Sequence, residues 1–302
     1  MLNIIINKVK YEMYKRCPRI LKIYNYKICD KLYGIPQVNS IDKTLDKLLS
    51  GRVSMSRFGD GEFDVMRGYQ NGFQSRNKTL SKRLKAVVKE NGKHDDFIVC
   101  IQDAINDYSI YNDDAQEFYT YYYLQNRQEC VRLLNTDYDY YNTQVTRPYM
   151  DFKKKNKCAE WFEKIKRIWE GQDVLIVEGV FSRLGVNNGL FDNVKSLHRI
   201  LAPAENAFDK YDNILNATIN YGKDKLVLIA LGQTATVLAY DLYKAGLWAL
   251  DIGHIDIEYE WFMKQAKHKV KIEGKYINEI NQRKIGEIDD PIYCKQIICK
   301  IL

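Results

Sequence analysis

Val174-Leu175-Ile176-Val177-Glu178-Gly179 is an apolar run that stops at a glycine, followed by the Gly- and Asn-rich stretch Val180-Phe181-Ser182-Arg183-Leu184-Gly185-Val186-Asn187-Asn188-Gly189. Such a run, bounded by turn formers, reads as a strand buried on both faces. The pattern recurs on either side. Downstream, a short strand is expected around Arg199–Leu201, running into Ala202-Pro203-Ala204-Glu205-Asn206-Ala207-Phe208. Lys225–Ala230 reads as a strand, Leu231–Thr236 as a turn, Val237–Ala245 as a helix stopped by Gly246, and Trp248–Ile252 as a last strand. Upstream, a helix through Trp161, Ile165, Ile168 and Trp169 ends at Gly171. Phe97–Ile101 is a buried strand, Val53–Phe58 a shorter one, and Ile41–Leu49 and Leu80, Leu84, Val87, Val88 are helical stripes.

Strands alternating with helices of about 10–15 residues predict an α/β protein. The expected fold is Rossmann-like: a mainly parallel sheet with helices on both faces. Ligands of such sheets sit outside the carboxyl ends of the strands. Residues 1–40 read as a helical N-terminal extension, with 1–50 broken at Gly34-Ile35-Pro36. The main domain is expected over 41–270, with 271–302 as a C-terminal extension packed on it.

The chain has 302 residues, 46% of them hydrophobic, enough for one large core. A net charge of +7 suits anionic ligands but is too diffuse for nucleic acid. Part of it lies in residues 1–36, where eight lysines and arginines face only Glu12 and Asp30. No apolar run approaches the ~20 residues of a membrane span, and Leu2–Ile6 is too short for a signal-peptide core. The seven cysteines form no CxxC pair and read as buried thiols of a reducing compartment. The expected location is cytoplasmic, with at most peripheral contact between the basic N-terminus and the inner face of the membrane.

The polar residues that stand out fall after strands. Ser56-Arg57-Phe58-Gly59-Asp60-Gly61-Glu62 sets two carboxylates i, i+2 on a glycine-hinged turn. They can converge on one divalent cation and leave positions open for a diphosphate. The competing reading makes Asp60 the cap of a helix starting near Glu62. Arg183 offers a fork of donors to a diphosphate. Gly232-Gln233-Thr234-Ala235-Thr236 offers backbone N–H groups at a helix N-terminus, but no GxGxxG and no Walker lysine. Asp251–Trp261 clusters acids around His254. If extended, it puts His254, Asp256, Glu258 and Glu260 on one face; if a helix starts near Asp256, its first-turn acids serve the helix dipole. His254 is a base or phosphate ligand in one reading and a buried, satisfied histidine in the other. Residues 108–149 hold ten tyrosines, read as a helical layer on the core, with acceptor-sugar stacking as the alternative.

Four stretches in this order, Arg57–Glu62, Phe181–Gly185, Ala202–Phe208 and Gly253–Trp261, resemble the GT-D-type glycosyltransferases, a bacterial family with its own Rossmann-like fold. The resemblance spans roughly residues 40–270. It implies a D-x-E motif at Asp60 and Glu62 that binds a divalent metal, Mn²⁺ or Mg²⁺, and the diphosphate of UDP-glucose or a similar donor. Glu62 is the stronger ligand candidate. It also implies a role in building glycans on bacterial adhesins or surface polysaccharides. Two departures concern the loops: Asn187-Asn188-Gly189-Leu190 lacks the acidic residue that often follows the family's Gly-x-Asn, and Gln233 replaces a proline.

The expectation is therefore a metal-dependent hexosyltransferase acting from a UDP-sugar, with a glycan or glycoprotein acceptor and other glycosyltransferases as partners. Arg57, Asp60, Arg183, Gly232 and Thr234 are the donor-binding candidates. Asp256, His254 and Glu258 are the base candidates, Asp256 first. The alternative is a catalytically silent family member that binds a partner enzyme.

Overall fold

The apolar runs become strands of one sheet. The computed structural model describes residues 18–302 except 278, 279, 281, 283, 284, 287 and 288. The expectations for residues 1–17, including most of the basic N-terminus and Cys17, lie outside the described residues. The strands are β1 (Ser54–Phe58), β2 (Phe97–Ile101), β3 (Tyr141–Asn142), β4 (Asp173–Gly179), β5 (Ser196–Ala202), β6 (Leu226–Ala230), β7 (Trp248–Asp251) and β8 (Ile297–Lys300). They form an eight-stranded sheet of order β3-β2-β1-β7-β6-β4-β5-β8, each neighbouring pair parallel. All of β2, and β4 from Val174 onward, is buried on both faces, because helices cover the sheet above and below.

The helices are α1 (Pro18–Tyr33), α2 (Ile41–Leu49), α3 (Asp60–Met66), α4 (Lys78–Val87), α5 (Asp113–Leu133), α6 (Cys158–Trp169), α7 (Tyr211–Gly222), α8 (Gln233–Lys244), α9 (Ile255–Met263) and α10 (Pro291–Gln296). Their starts follow local chemistry. The Ser40 side chain accepts from Lys43 N, and the Asn77 side chain from Leu80 N, each satisfying an N–H that the helix itself leaves open. Behind these caps, Ile41, Leu45 and Leu48 of α2, and Leu80, Leu84 and Val87 of α4, supply the buried stripes. Among the described residues no helix is long and apolar enough to cross a membrane.

Several expectations change. The helix expected at Val237 starts at Gln233, so Thr234 sits in its first turn and not in a loop. The strand around Arg199–Leu201 runs from Ser196 to Ala202, because all seven residues pair with β4. The C-terminal extension holds a short helix, α10, but also completes the sheet through β8, which pairs with β5. Cys29, Cys100, Cys130 and Cys158 are buried thiols, whereas Cys294 is exposed and Cys299 half-buried, because both lie on this edge segment. The tyrosine-rich stretch is largely α5, with Tyr119 and Tyr123 in the core.

From the middle of the sheet, the chain runs outward from β1 through β2 to β3; in the other half it starts at β4, steps out to β5, returns through β6 to β7 beside β1, and ends at the edge with β8. Strands β1 and β7 share one register pair, Met55 with Leu250. Side chains close the rest of the seam. Arg57 Nε donates to the Asp251 carbonyl at 2.8 Å, and its NH2 nitrogen to Asp251 Oδ1 at 2.9 Å. Thr236 Oγ1 donates to the Arg57 carbonyl at 2.9 Å and to Asp251 Oδ2 at 3.2 Å. Gly253, at φ +43°, lies so close that a Cβ would overlap the Arg57 guanidinium.

Removing one partner of a buried pair leaves the other charge uncompensated. Arg57→Met is expected to cost ~3 kcal/mol, a fall in Tm of roughly 5 °C for a chain of this length. The double variant Arg57→Met/Asp251→Leu should recover more than half of that loss, with thermal unfolding of all three proteins as the check.

Candidate active site

A cavity of about 730 Å³ opens where β1 and β7 diverge, at the carboxyl ends of the strands and at the point where the sheet order reverses. Arg57, Asp60, Glu62, Gly232, His254 and Asp256 line it. Arg183, Thr234 and Glu258 do not.

The acidic turn opens a helix, as the capping reading expects, but with a different cap. Gly59, in extended conformation, is the N-cap of α3, and Asp60 is the first helical residue, so Asp60 is not the cap. Glu62 Oε2 accepts from Gly59 N at 2.7 Å, the return bond of a capping box. That bond turns the Glu62 carboxylate back toward the end of β1. Asp60 Oδ1 stands 3.4 Å from Gln102 Nε2, and Gln102 Oε1 accepts from the Tyr123 hydroxyl at 2.7 Å. The Glu62 carboxyl is pushed up to about 7, chiefly by burial. The nearby Asp251 and Asp60 charges add to this, while the Gly59 N–H and Arg57 oppose it.

This arrangement fits a hard divalent cation. The donors are carboxylate oxygens, and a positive charge there would relieve the crowding that raises Glu62. Among the described residues no group of three or more His, Cys, Asp or Glu side chains gathers as a metal cage. Asp60 and Glu62 would therefore leave the remaining positions to water or phosphate oxygens.

The second acidic cluster is mostly structural. Residues 255–263 form α9, so the extended reading of His254 to Glu260 does not hold. Glu258 is fully buried, and its Oε2 accepts from Tyr149 N at 3.1 Å and Met150 N at 2.8 Å. It anchors the segment after β3 and turns away from the cavity. Asp256 reaches the cavity, but its oxygens are occupied. Oδ1 accepts from Gly185 N and Asn188 Nδ2, both at 2.7 Å, and Oδ2 from Lys275 Nζ at 2.7 Å. Lys275 also lies 3.1 Å from Glu260 Oε1. His254 lines the cavity from the residue before α9, its ring centroid 5.7 Å from that of Trp261.

Arg183 is a correction too. Its backbone is left-handed at φ +51°, and its guanidinium donates to Gly274 O at 2.9 Å and Gly286 O at 2.6 Å. It ties down the C-terminal segment and does not line the cavity. Thr234 is buried in the first turn of α8, and its Oγ1 has no hydrogen-bond partner among the described residues. Its neighbour Gln233 lines the cavity in its place.

The sequence reading missed Lys275, Gln233 and the Phe73–Tyr276 pair, whose ring centroids lie 6.0 Å apart at the cavity. Lys275 and Tyr276 fall in a segment without periodicity, so no local signal marked them. Gln233 could have been found, since it stands where the family pattern has proline.

The raised Glu62 carboxyl has a pH signature. Its protonated form is favoured by folding, so this contribution is fully present below the ordinary carboxylate range and is lost as pH rises through about 7. In EDTA, the wild type should lose on the order of 3 kcal/mol more than Glu62→Gln between pH 4.5 and 8. Thermal melts of both proteins at the two pH values are the check. Added Mn²⁺ should raise the Tm of the wild type at pH 8 and leave that of Glu62→Gln unchanged.

Comparisons with known proteins agree with this architecture. The glycosyltransferase GT-D fold family model matches residues 55–280. The chain is 38% identical over 265 residues to a probable glycosyl transferase Gly of Streptococcus gordonii, covering 87% of this chain and 39% of that protein. It is 38% identical over 282 residues to the glycosyltransferase GlyD of Streptococcus pneumoniae, covering 93% and 34% respectively. The chain thus spans little more than a third of the curated relatives it matches. Among solved structures, a glycosyltransferase from Streptococcus sanguinis superposes with a TM-score of 0.84 at 37% identity, over 89% of this chain and all of that one. A domain of unknown function 1792, described as having a distinct glycosyltransferase fold, superposes with a TM-score of 0.86 at 35% identity, over 90% and 98%. With the acidic motif at the end of β1 and a matched region covering most of the chain, this protein belongs to the GT-D family of glycosyltransferases.

Proposed function

We propose that this chain moves a hexose, glucose first among them, from a UDP-sugar to a glycan acceptor, with Mn²⁺ or Mg²⁺ held by Glu62 and Asp60. The observation that supports this reading is the half-buried Glu62 carboxyl lining the cavity beside Asp60, its proton affinity raised chiefly by withdrawal from water and further by the Asp251 and Asp60 charges. When bound, the metal supplies positive charge against the leaving diphosphate.

The chain's own residues do the rest. Gly232 and Gln233 present the start of α8 to the cavity, where open N–H groups favour phosphate oxygens. Arg57 adds a guanidinium whose orientation Asp251 fixes. The acceptor hydroxyl oxygen bonds to the anomeric carbon as the carbon–oxygen bond to UDP breaks, and the electron pair leaves on the diphosphate. The hydroxyl proton goes to a base. His254 takes that role in this proposal, because Glu258 lies outside the cavity and each Asp256 oxygen already accepts from a donor. Asp256 becomes a positioning residue that joins the 185–188 loop to Lys275.

Calorimetry of UDP with and without Mn²⁺ is the test. Binding by the wild type should require the metal, and Glu62→Ala should weaken it about a hundredfold, or about 2.7 kcal/mol. His254→Gln should leave UDP affinity unchanged while lowering kcat at least about a hundredfold. If UDP does not bind under any condition, the nucleotide-sugar reading fails and a partner-binding role replaces it.

A further inference from the structure

One wall of the cavity has no part in the donor site. Asp114 and Phe118, i and i+4 on α5, both line the cavity and so share one face of that helix. Phe118 is 47% exposed, large for a phenylalanine at the edge of a core. Its ring is stacked on that of Tyr122, with centroids 5.9 Å apart and planes 13° from parallel. The Tyr122 hydroxyl donates to the Asp60 carbonyl at 3.1 Å, which ties this platform to the acidic motif.

Beside the platform, the turn after β3 contributes Thr143 and Gln144, 3% and 0% exposed, and both also line the cavity. Gln144 Nε2 donates to the Tyr119 hydroxyl at 3.4 Å. Gln144 Oε1 and Thr143 Oγ1, by contrast, are buried with no hydrogen-bond partner among the described residues. Buried polar atoms are paired almost everywhere in folded proteins, and exceptions at a cavity mark where a ligand or water completes them. An exposed aromatic face, a carboxylate one helical turn away and two orphaned polar atoms together suit one kind of ligand. The apolar C–H face of a pyranose covers the ring, while its hydroxyls donate to the oxygens around it.

Resting on the glycosyl-transfer reading above, we propose that Asp114, Phe118, Thr143 and Gln144 form the acceptor subsite and that it takes a neutral pyranose. Charge supports the word neutral. Asp114 repels an anionic sugar. Of the cations on the lining, Arg147 and Lys269 lie 3.8 Å and 3.6 Å from the Asp151 carboxylate, and Arg57 pairs with Asp251. That leaves the exposed Lys267 as the counter-charge an anionic sugar would need. The donor is left the other components of the lining, the start of α8 and the Phe73–Tyr276 pair.

The full chain can be tested by saturation-transfer NMR with methyl β-glucopyranoside, its N-acetylamino counterpart and methyl β-glucuronide as probes. Alongside run UDP calorimetry with Mn²⁺ and rates of transfer from UDP-glucose. The neutral pyranosides should give a signal on the wild type that is lost in Phe118→Ala and weakened in Gln144→Leu. Phe118→Ala should raise the KM for the pyranoside accepted in transfer by about tenfold, with UDP affinity unchanged. Phe118 is nearly half exposed, so its alanine variant should keep the wild-type Tm within a few degrees. A wild type silent to every pyranoside, a preference for the glucuronide, or variants that leave pyranoside binding intact would each overturn the proposal. So would a parallel loss of UDP affinity, which would give this wall to the donor. Failure of wild-type UDP binding would instead remove the nucleotide-sugar reading, and the NMR signal tells the two failures apart.

Discussion

The seam between β1 and β7 is the constraint on which the rest depends. Two parallel strands that share one register pair would separate without a cross-link, and the cross-link is the buried Arg57–Asp251 pair with Thr236 bonded to both residues. Backbone pairing there would have filled the crevice. A side-chain clasp lets the carboxyl ends diverge, and the acidic turn and His254 then face one cavity from two strands that lie far apart in sequence. The clasp also explains Gly253, since any side chain there would meet the guanidinium. Asp251 itself is pushed above the usual carboxylate range by burial, and Arg57 and Thr236 counter that shift.

The Glu62 carboxylate caps its helix, and in the proposed function it also holds the metal; one bond serves both. Accepting from Gly59 N satisfies an N–H at the helix start and fixes the carboxylate at the mouth of β1. The structural and functional readings of the D-x-E motif are therefore not rivals. The cap is what aims the group.

Elsewhere, acidity that looks catalytic in the sequence holds loops in place. Glu258 binds two backbone N–H groups of the 149–150 segment. Asp256 couples the 185–188 loop to Lys275. Glu178, fully buried, pairs with Arg199 on the neighbouring strand and accepts from Leu184 N. The loops around the cavity are thus held by buried charged hydrogen bonds, each of which loses heavily if one partner is removed. Arg183 belongs to the same set, since it binds two carbonyls of the C-terminal segment.

Sequence alone determined the parallel α/β architecture, because apolar runs of strand length between amphipathic stripes have few other ways to bury themselves. It also determined that chemistry gathers at strand ends, and it singled out Asp60, Glu62 and His254, which line the cavity. Tertiary structure decided which polar residues face that cavity. Arg183 and Glu258 carry the right chemistry, but their partners, Gly274, Gly286, Tyr149 and Met150, come from distant segments that no local pattern could pair with them. Strand β8 and Lys275 were hidden for the same reason. Short, aperiodic stretches at the end of the chain acquire their structure from the sheet edge and the buried carboxylates that receive them. Local periodicity reports which face of an element is apolar, whereas the partner of a buried charge is settled only when separate segments meet.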